Sequence, residues 1–174
     1  MDAKTSPEGR WLRIDVPFST EKPFTPEIKF KFYLEGYEGA DAEAGPGKPE
    51  KKFVVLTGEA QYRDVPKGGK HFAGVFLPPA SVLRFSGVLP NGENNWVNRQ
   101  LNLRVEAVEG GIPVAEVFDL QLVNEKAVSG RGGKKDPEWF KSPDAQEISG
   151  ALLPVTETPF WPKDYKRYPQ PKNP

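Results

Sequence analysis

The sequence predicts an all-β protein, an antiparallel immunoglobulin-like or fibronectin-like β-sandwich of about seven or eight strands. An extended proline- and aromatic-rich tail follows it. Three observations carry this expectation. The stretch EIKFKFYLE sets Ile28, Phe30, Phe32 and Leu34 in alternation with Lys29, Lys31, Tyr33 and Glu35, the period of a strand with one dry and one wet face. Short runs rich in β-branched and aromatic residues recur between Gly and Pro turns. No segment shows an apolar stripe at the 3.6-residue helical period.

Taken in order, RWLRIDV (10–16) is the first core strand and EIKFKFYLE lies within the second. KKFVVLTGEAQYRD (51–64) is a third, interrupted at Gly58, where a bulge or a close backbone approach is expected. HFAGVFL (71–77) and SVLRF (81–85) read as shorter strands, separated by Pro78 and Pro79, which no central strand accommodates. A hairpin follows. WVNRQLNLRVEAV (96–108) places Val97, Leu101, Leu103, Val105 and Ala107 on one face, and Glu109, Gly110 and Gly111 turn the chain. IPVAEVFDLQLV (112–123) returns, with Val114, Phe118, Leu120 and Leu122 sharing a face. The stretch KDPEWFKSPDAQEISG (135–150) holds a helical turn at most.

This organisation gives a flexible N-terminal segment over 1–9 and a sandwich over 10–125. A glycine-rich connector with a short turn spans 126–151, and the aromatic-proline tail spans 152–174. The charged, Gly/Pro-bearing stretch 38–52 is a loop. The basic residues Arg131, Lys134 and Lys135 of SGRGGKKDP follow no strand and lack the G-K-[ST] ending of a phosphate loop, so they read as a solvated connector.

Twenty-four basic and 24 acidic side chains balance across 174 residues. No excess of positive charge points to nucleic acid or to an acidic membrane surface. No apolar run approaches the roughly 20 residues of a membrane span. The opening MDAKTSPEGR has no apolar centre of a signal peptide, so the chain is either cytosolic or an exported one whose leader has been removed. Cysteine is absent, which removes disulfides, redox motifs and thiolate ligands and leaves core burial to stabilise the fold.

Catalytic chemistry is poorly supplied. His71 is the one histidine, too few for a zinc site without cysteines, and no G-x-S-x-G elbow accompanies it. It reads as a turn-flanking residue. The pairs Glu106/Glu109 and Glu116/Asp119 resemble acid/base pairs only in composition; alternate carboxylates usually mark the wet face of a strand. No D-x-D-x-D-G loop supports calcium. No enzyme activity, metal or cofactor is expected. One recognition feature stands out in PNGENNWVN (90–98), where Trp96 lies beside Asn94, Asn95 and Asn98. A flat ring with neighbouring amides is a carbohydrate-binding arrangement, with Trp139 as a further ring. The competing reading is a turn whose Trp96 opens the next strand.

The tail sets Phe160, Trp161, Tyr165 and Tyr168 among prolines at 154, 159, 162, 169, 171 and 174. Prolines hold it extended, and at about 3.1 Å per residue it reaches on the order of 65 Å, far enough to cross its own domain or meet another. The rings are anchors, binding either a partner protein or the chain's own sheet.

LLPVTETPFWPKDYKRYPQPK (152–172), with FVVLTGEAQYRDVPKGGKHFAGVFLPP (53–79) before it, resembles small exported proteins encoded beside type IV pilus-like machinery in bacteria with outer membranes. The resemblance runs from about residue 10 to 172. It implies an Ig-like structural or assembly component, placed in the periplasm, at the outer membrane or on the cell surface, and it implies no catalytic residues. The expectation is a non-enzymatic protein acting through protein–protein contacts, with pilus-system proteins or as a homo-oligomer. A carbohydrate-binding module is the alternative.

Overall fold

Alternation along the chain is converted into a single mixed sheet of eight strands, ordered β1-β2-β5-β8-β4-β3-β6-β7. The computed structural model describes residues 2–6, 9–38, 52–69, 71–85, 102–119 and 138–171. The strands are β1 (Asp2–Ser6), β2 (Gly9–Phe18), β3 (Phe24–Glu38), β4 (Lys52–Pro66), β5 (His71–Leu77), β6 (Leu103–Glu109), β7 (Ile112–Asp119) and β8 (Gln146–Pro154). Helix α1 covers Pro79–Phe85 and the short α2 covers Trp161–Asp164.

The all-β expectation holds, with a difference in how the layers join. The sheet folds over on itself like half of a barrel, because β8 belongs to both halves. It runs parallel to β4, pairing Val54 with Gln146 and Gly58 with Leu152, and antiparallel to β5, pairing Phe76 with Leu153. A separate pair of face-to-face sheets is therefore not what forms. The inner faces of the two halves still meet: Phe18 of β2 lies 4.6 Å from Phe30 of β3, centroid to centroid. The alternating residues Ile28, Phe30, Phe32 and Leu34 are all buried there.

Gly58 shows why β8 can cross. The ladder slips between Leu56 and Gly58, and a Cβ at Gly58 would lie 2.0 Å from the Leu152 carbonyl oxygen. Only the absence of a side chain lets the two backbones approach so closely. The bulge expected from the sequence is the crossing point of β8.

Several boundaries differ from those read in the sequence. Residues 2–6, within the segment expected to be flexible, form β1 and pair with β2. SVLRF is helical, not extended. Pro79 occupies the first helical position, where its missing N–H costs nothing, and Val82 donates to the Pro78 carbonyl at 2.8 Å. Val82 and Phe85, three residues apart, are the buried side of that helix. β8 begins at Gln146, so a connector ending at 151 and a tail starting at 152 divide one strand. In the hairpin, Leu103, Val105 and Ala107 are buried as expected. Gly110 and Gly111 turn the chain with φ of 58° and 83°, the left-handed pair of a tight hairpin turn. In β7, however, Val114 and Phe118 are exposed rather than core-facing, because among the described residues β7 is the sheet's last strand.

After β8 the chain turns through Val155–Glu157, α2 and Tyr165–Arg167, then comes back to β4. There Arg63 donates its backbone N–H to Gln170 at 2.8 Å and Tyr62 bridges Pro171. The tail thus continues the closure that β8 begins along the β4 edge. On the opposite, outer face of β4, Phe53, Val55 and Trp139 form a smaller buried cluster, with Tyr33, Tyr37 and Phe140 against it.

Phe160 is a central anchor of this strap. It packs edge-on to Trp11 at 5.7 Å and stacked on Phe76 at 5.5 Å. Phe160→Ala is expected to cost about 3–5 kcal/mol, and deletion of 158–174 more, both read as lower denaturant midpoints. An unchanged midpoint in the deletion would remove the strap from the account of stability.

Candidate functional site

The fold is sealed on one side and open on the other. The sealed side is built around Asp15 of β2. Its carboxylate accepts from Tyr168 Oη at 2.8 Å, from Arg167 Nε at 2.9 Å and pairs with Arg13 Nε at 3.2 Å. The Arg167 guanidinium also lies 4.5 Å over the Phe72 ring. β5 accommodates this through Gly74, where a Cβ would lie 2.5 Å from Tyr168 Cε1 and 2.7 Å from Asp15 Oδ1. The Gly74 N–H donates to Tyr62 Oη at 2.9 Å, so one glycine receives two tyrosines, one from β4 and one from the tail.

Burial, and then the hydrogen bond donated to Asp15 and the charge of that carboxylate, raise the Tyr168 phenol above the usual tyrosine range. Burial does the same at Tyr62, against the opposing effect of the Gly74 N–H.

On the open side, the inner faces of β2, β3, β6 and β7 enclose a cleft of about 480 Å³. Val16, Phe18, Ile28, Phe30, Val105 and Val117 supply its apolar lining. The floor is the buried core; the walls are strands from the two halves. At the hairpin end, Lys22 Nζ reaches Glu109 at 2.5 Å and ties the β2–β3 loop to β6. Beside the cleft runs β7, where Ile112, Val114, Val117 and Phe118 are 68%, 54%, 47% and 37% exposed. The outer side of this hairpin is held by Arg104. It pairs with Glu116, lies 3.9 Å from Glu106, and covers Phe140 at 4.1 Å and Tyr33 at 4.9 Å. Such a cleft is suited to holding apolar side chains and to excluding water from them. Its lining also includes the charged residues Glu21, Lys22, Glu109 and Glu116.

Residues singled out in the sequence fall into four groups. Phe160 and Tyr168 are buried in their own chain, and Trp161 packs against the same core. Tyr165 stands in the turn Tyr165–Arg167, and its side chain lies outside the described residues. Asn94, Asn95 and Trp96 also lie outside them. His71 packs at a tilt against Phe18 at 5.4 Å and its Nε2 is 3.0 Å from the Pro66 carbonyl oxygen, a clip across the β4–β5 connection. The carboxylates Glu106, Glu109 and Glu116 neutralise Arg104 and Lys22. Among the described residues no group of three or more His, Cys, Asp or Glu side chains is arranged for a metal ion, and no helix is long and apolar enough to cross a membrane. The sequence pattern missed the cleft. It is assembled from four strands, and its one local sign is the apolar character of Ile112, Val114, Val117 and Phe118 around Glu116 on a strand read as half buried.

Fold and cleft together define an all-β domain with an apolar cleft beside β7, a strand with one neighbour among the described residues. A protein-family model matches residues 2–174, and the chain belongs to that family. A crystal structure of a protein from Akkermansia muciniphila is similar to it, with a TM-score of 0.66 and 27% identity over 95% of this chain and 78% of that one. No curated protein matches the sequence.

The two raised phenols set an alkaline limit. Unfolded tyrosine loses its proton near pH 10, while Tyr62 and Tyr168 hold theirs to higher pH when folded. Their contribution is therefore complete below about pH 10 and is lost as pH rises through the folded values. Denaturant melts from about pH 8 to 11 are expected to show a fall that begins near pH 10 and is shallower in Tyr168→Phe. At neutral pH that variant loses about 1–3 kcal/mol, from the unpaired Asp15 oxygen.

Proposed function

We propose that the protein is a non-enzymatic structural or interaction component that works by protein–protein contact, using the face formed by the cleft and β7. The observation that carries this reading is the row of four large apolar side chains left in water on one edge strand. Single exposed apolar residues are ordinary; Val114 and Val117 exposed where they line an apolar cleft, with Ile112 and Phe118 exposed on the same strand, mark a contact surface. Sheet edges bind extended chain by main-chain hydrogen bonds, and flanking apolar pockets take alternate side chains. The cleft lies beside β7 in the position such a pocket requires.

The resemblance to exported proteins of type IV pilus-like systems supports a finer statement of the same reading. The chain acts outside the cytoplasm, in the periplasm, at the outer membrane or on the surface, and contributes to the assembly of such a system. Its even charge balance suits contacts made by apolar packing rather than by long-range steering.

A photo-crosslinking residue placed at Val117 in the producing cell tests this. Covalent products with protein are expected from Val117, and none from Leu83 of α1, which is 60% exposed on another element. Equal labelling from both positions, or none from either, would defeat the assignment of this face.

A further inference from the structure

The outer edge of β7 has no partner strand among the described residues, yet only part of it is open to pairing. Its first half is blunted. Pro113 has no N–H to offer, and the ladder to β6 slips between Ala107 and Val108, which leaves Val114 as an extra residue. Proline and a bulge are the usual means of closing an edge. Beyond them Ala115–Asp119 runs in unbroken register with Ala107–Leu103 of β6. This open length carries Val117 and Phe118.

A second copy of the chain is the occupant this edge fits, as its pairing registers show. Two identical antiparallel edges meet about a two-fold axis perpendicular to the sheet, and residues directly opposite each other share a face. The axis must then pass through a residue of β7. At Ala115 it would set Pro113 against Val117 and run the bulge into the ladder. At Glu116 it would set Glu116 against its own copy, and like charges directly opposite are destabilising. At Phe118 it would leave Glu116 without a partner in the strand. At Val117 the whole open length pairs: Ala115 with Asp119, Glu116 with Phe118, and Val117 with itself. No like charges oppose, and no proline enters. Arg104, which pairs with Glu116 and lies 5.8 Å from the Phe118 ring, sits beside the Glu116–Phe118 pairs on the outer face. On the inner face Val117 meets Val117 where each lines a cleft, so the two clefts become one.

We infer that two copies of this chain associate β7 to β7, antiparallel, about a two-fold axis at Val117, so that two sheets become one. This rests on the reading that the β7 face is a contact surface, and it specifies the partner and the register.

The absence of cysteine makes the register directly testable. Opposed residues in an antiparallel pair have Cα atoms about 4.5–5.5 Å apart, inside the roughly 4.4–6.8 Å that a disulfide spans. The purified full chain carrying Val117→Cys is expected to form a disulfide-linked dimer on mild oxidation. Ala115→Cys, whose copy would lie roughly 14 Å away at about 3.4 Å per residue, is expected not to couple with itself. It should couple with Asp119→Cys when the two variants are mixed. Light scattering of the unmodified chain is expected to give a dimer at micromolar concentration, and Val117→Lys a monomer with an unchanged circular dichroism spectrum. A monomeric unmodified chain would overturn the inference, as would self-coupling at Ala115 in place of Val117. If crosslinks from Val117 in cells reach other proteins while the purified chain stays monomeric, the contact surface stands and the self-pairing falls. If Val117 gives no crosslink at all, both fall.

Discussion

The backbone crossing of β8 over Gly58 is the contact on which the rest of the structure depends. Neither half of the sheet closes by itself: β2 and β5 belong to one half, β3, β4 and β6 to the other, and the chain between residues 66 and 146 forms elements of both. β8 holds them by pairing with β4 on one side and β5 on the other. It reaches both because at Gly58 the strand gives way to the Leu152 carbonyl. A side chain there would push β8 off β4 and separate the halves. The cost would be felt throughout the core, since Leu152 and Val155 are buried within it.

Closure on this side is continued by chemistry of a different kind. Where β8 ends, the tail holds on through aromatic packing at Phe160 and a hydrogen-bonded carboxylate at Asp15, and then through backbone bonds to Arg63 and Tyr62. The carboxylate is only 10% exposed at its side chain, yet three donors surround it. A buried charge so satisfied is tolerable, whereas one stripped of partners is not. The tail's register is therefore set by Asp15, and its attachment by the rings. Gly74 is the counterpart of Gly58, clearing space for a ring rather than for a backbone.

How much of this was legible follows from which interactions are local. Alternation over Ile28–Leu34 and the Gly110–Gly111 turn are short-range, and both appear as the sequence implies. Gly58 announced an irregularity, because a glycine inside a β-rich run packs no side chain and so marks a bulge or a close approach. Its partner could not be read, since Leu152 is almost a hundred residues away. SVLRF misled because its β-branched and aromatic residues suit a strand, while Pro78 and Pro79 start a helix whose burial at Val82 and Phe85 then holds it. The four aromatic residues of the tail signalled attachment. Whether to its own sheet or to another chain depended on a receptor, and Trp11, Phe76 and Gly74 belong to strands that sequence pattern alone does not bring together. The cleft is least legible of all, since it is bounded by strands β2, β3, β6 and β7, whose arrangement follows from the fold-over.

The placement of the tail also bears on where contacts with other proteins are made. An arm whose rings fill the core cannot serve a partner without first undoing Phe160 and Tyr168, and each of these is bound into the seam that holds the halves together. An attachment function carried by the tail would therefore be opposed by the protein's own stability. The β7 side bears no such conflict: its apolar residues are already in water, its ladder to β6 is unbroken from Ala115 to Asp119, and Arg104 holds the hairpin in place whether or not a partner is present. Covering Val117 and Phe118 removes apolar surface from water without breaking a contact of the free chain. On that ground the proposed association falls on the open side rather than on the aromatic tail.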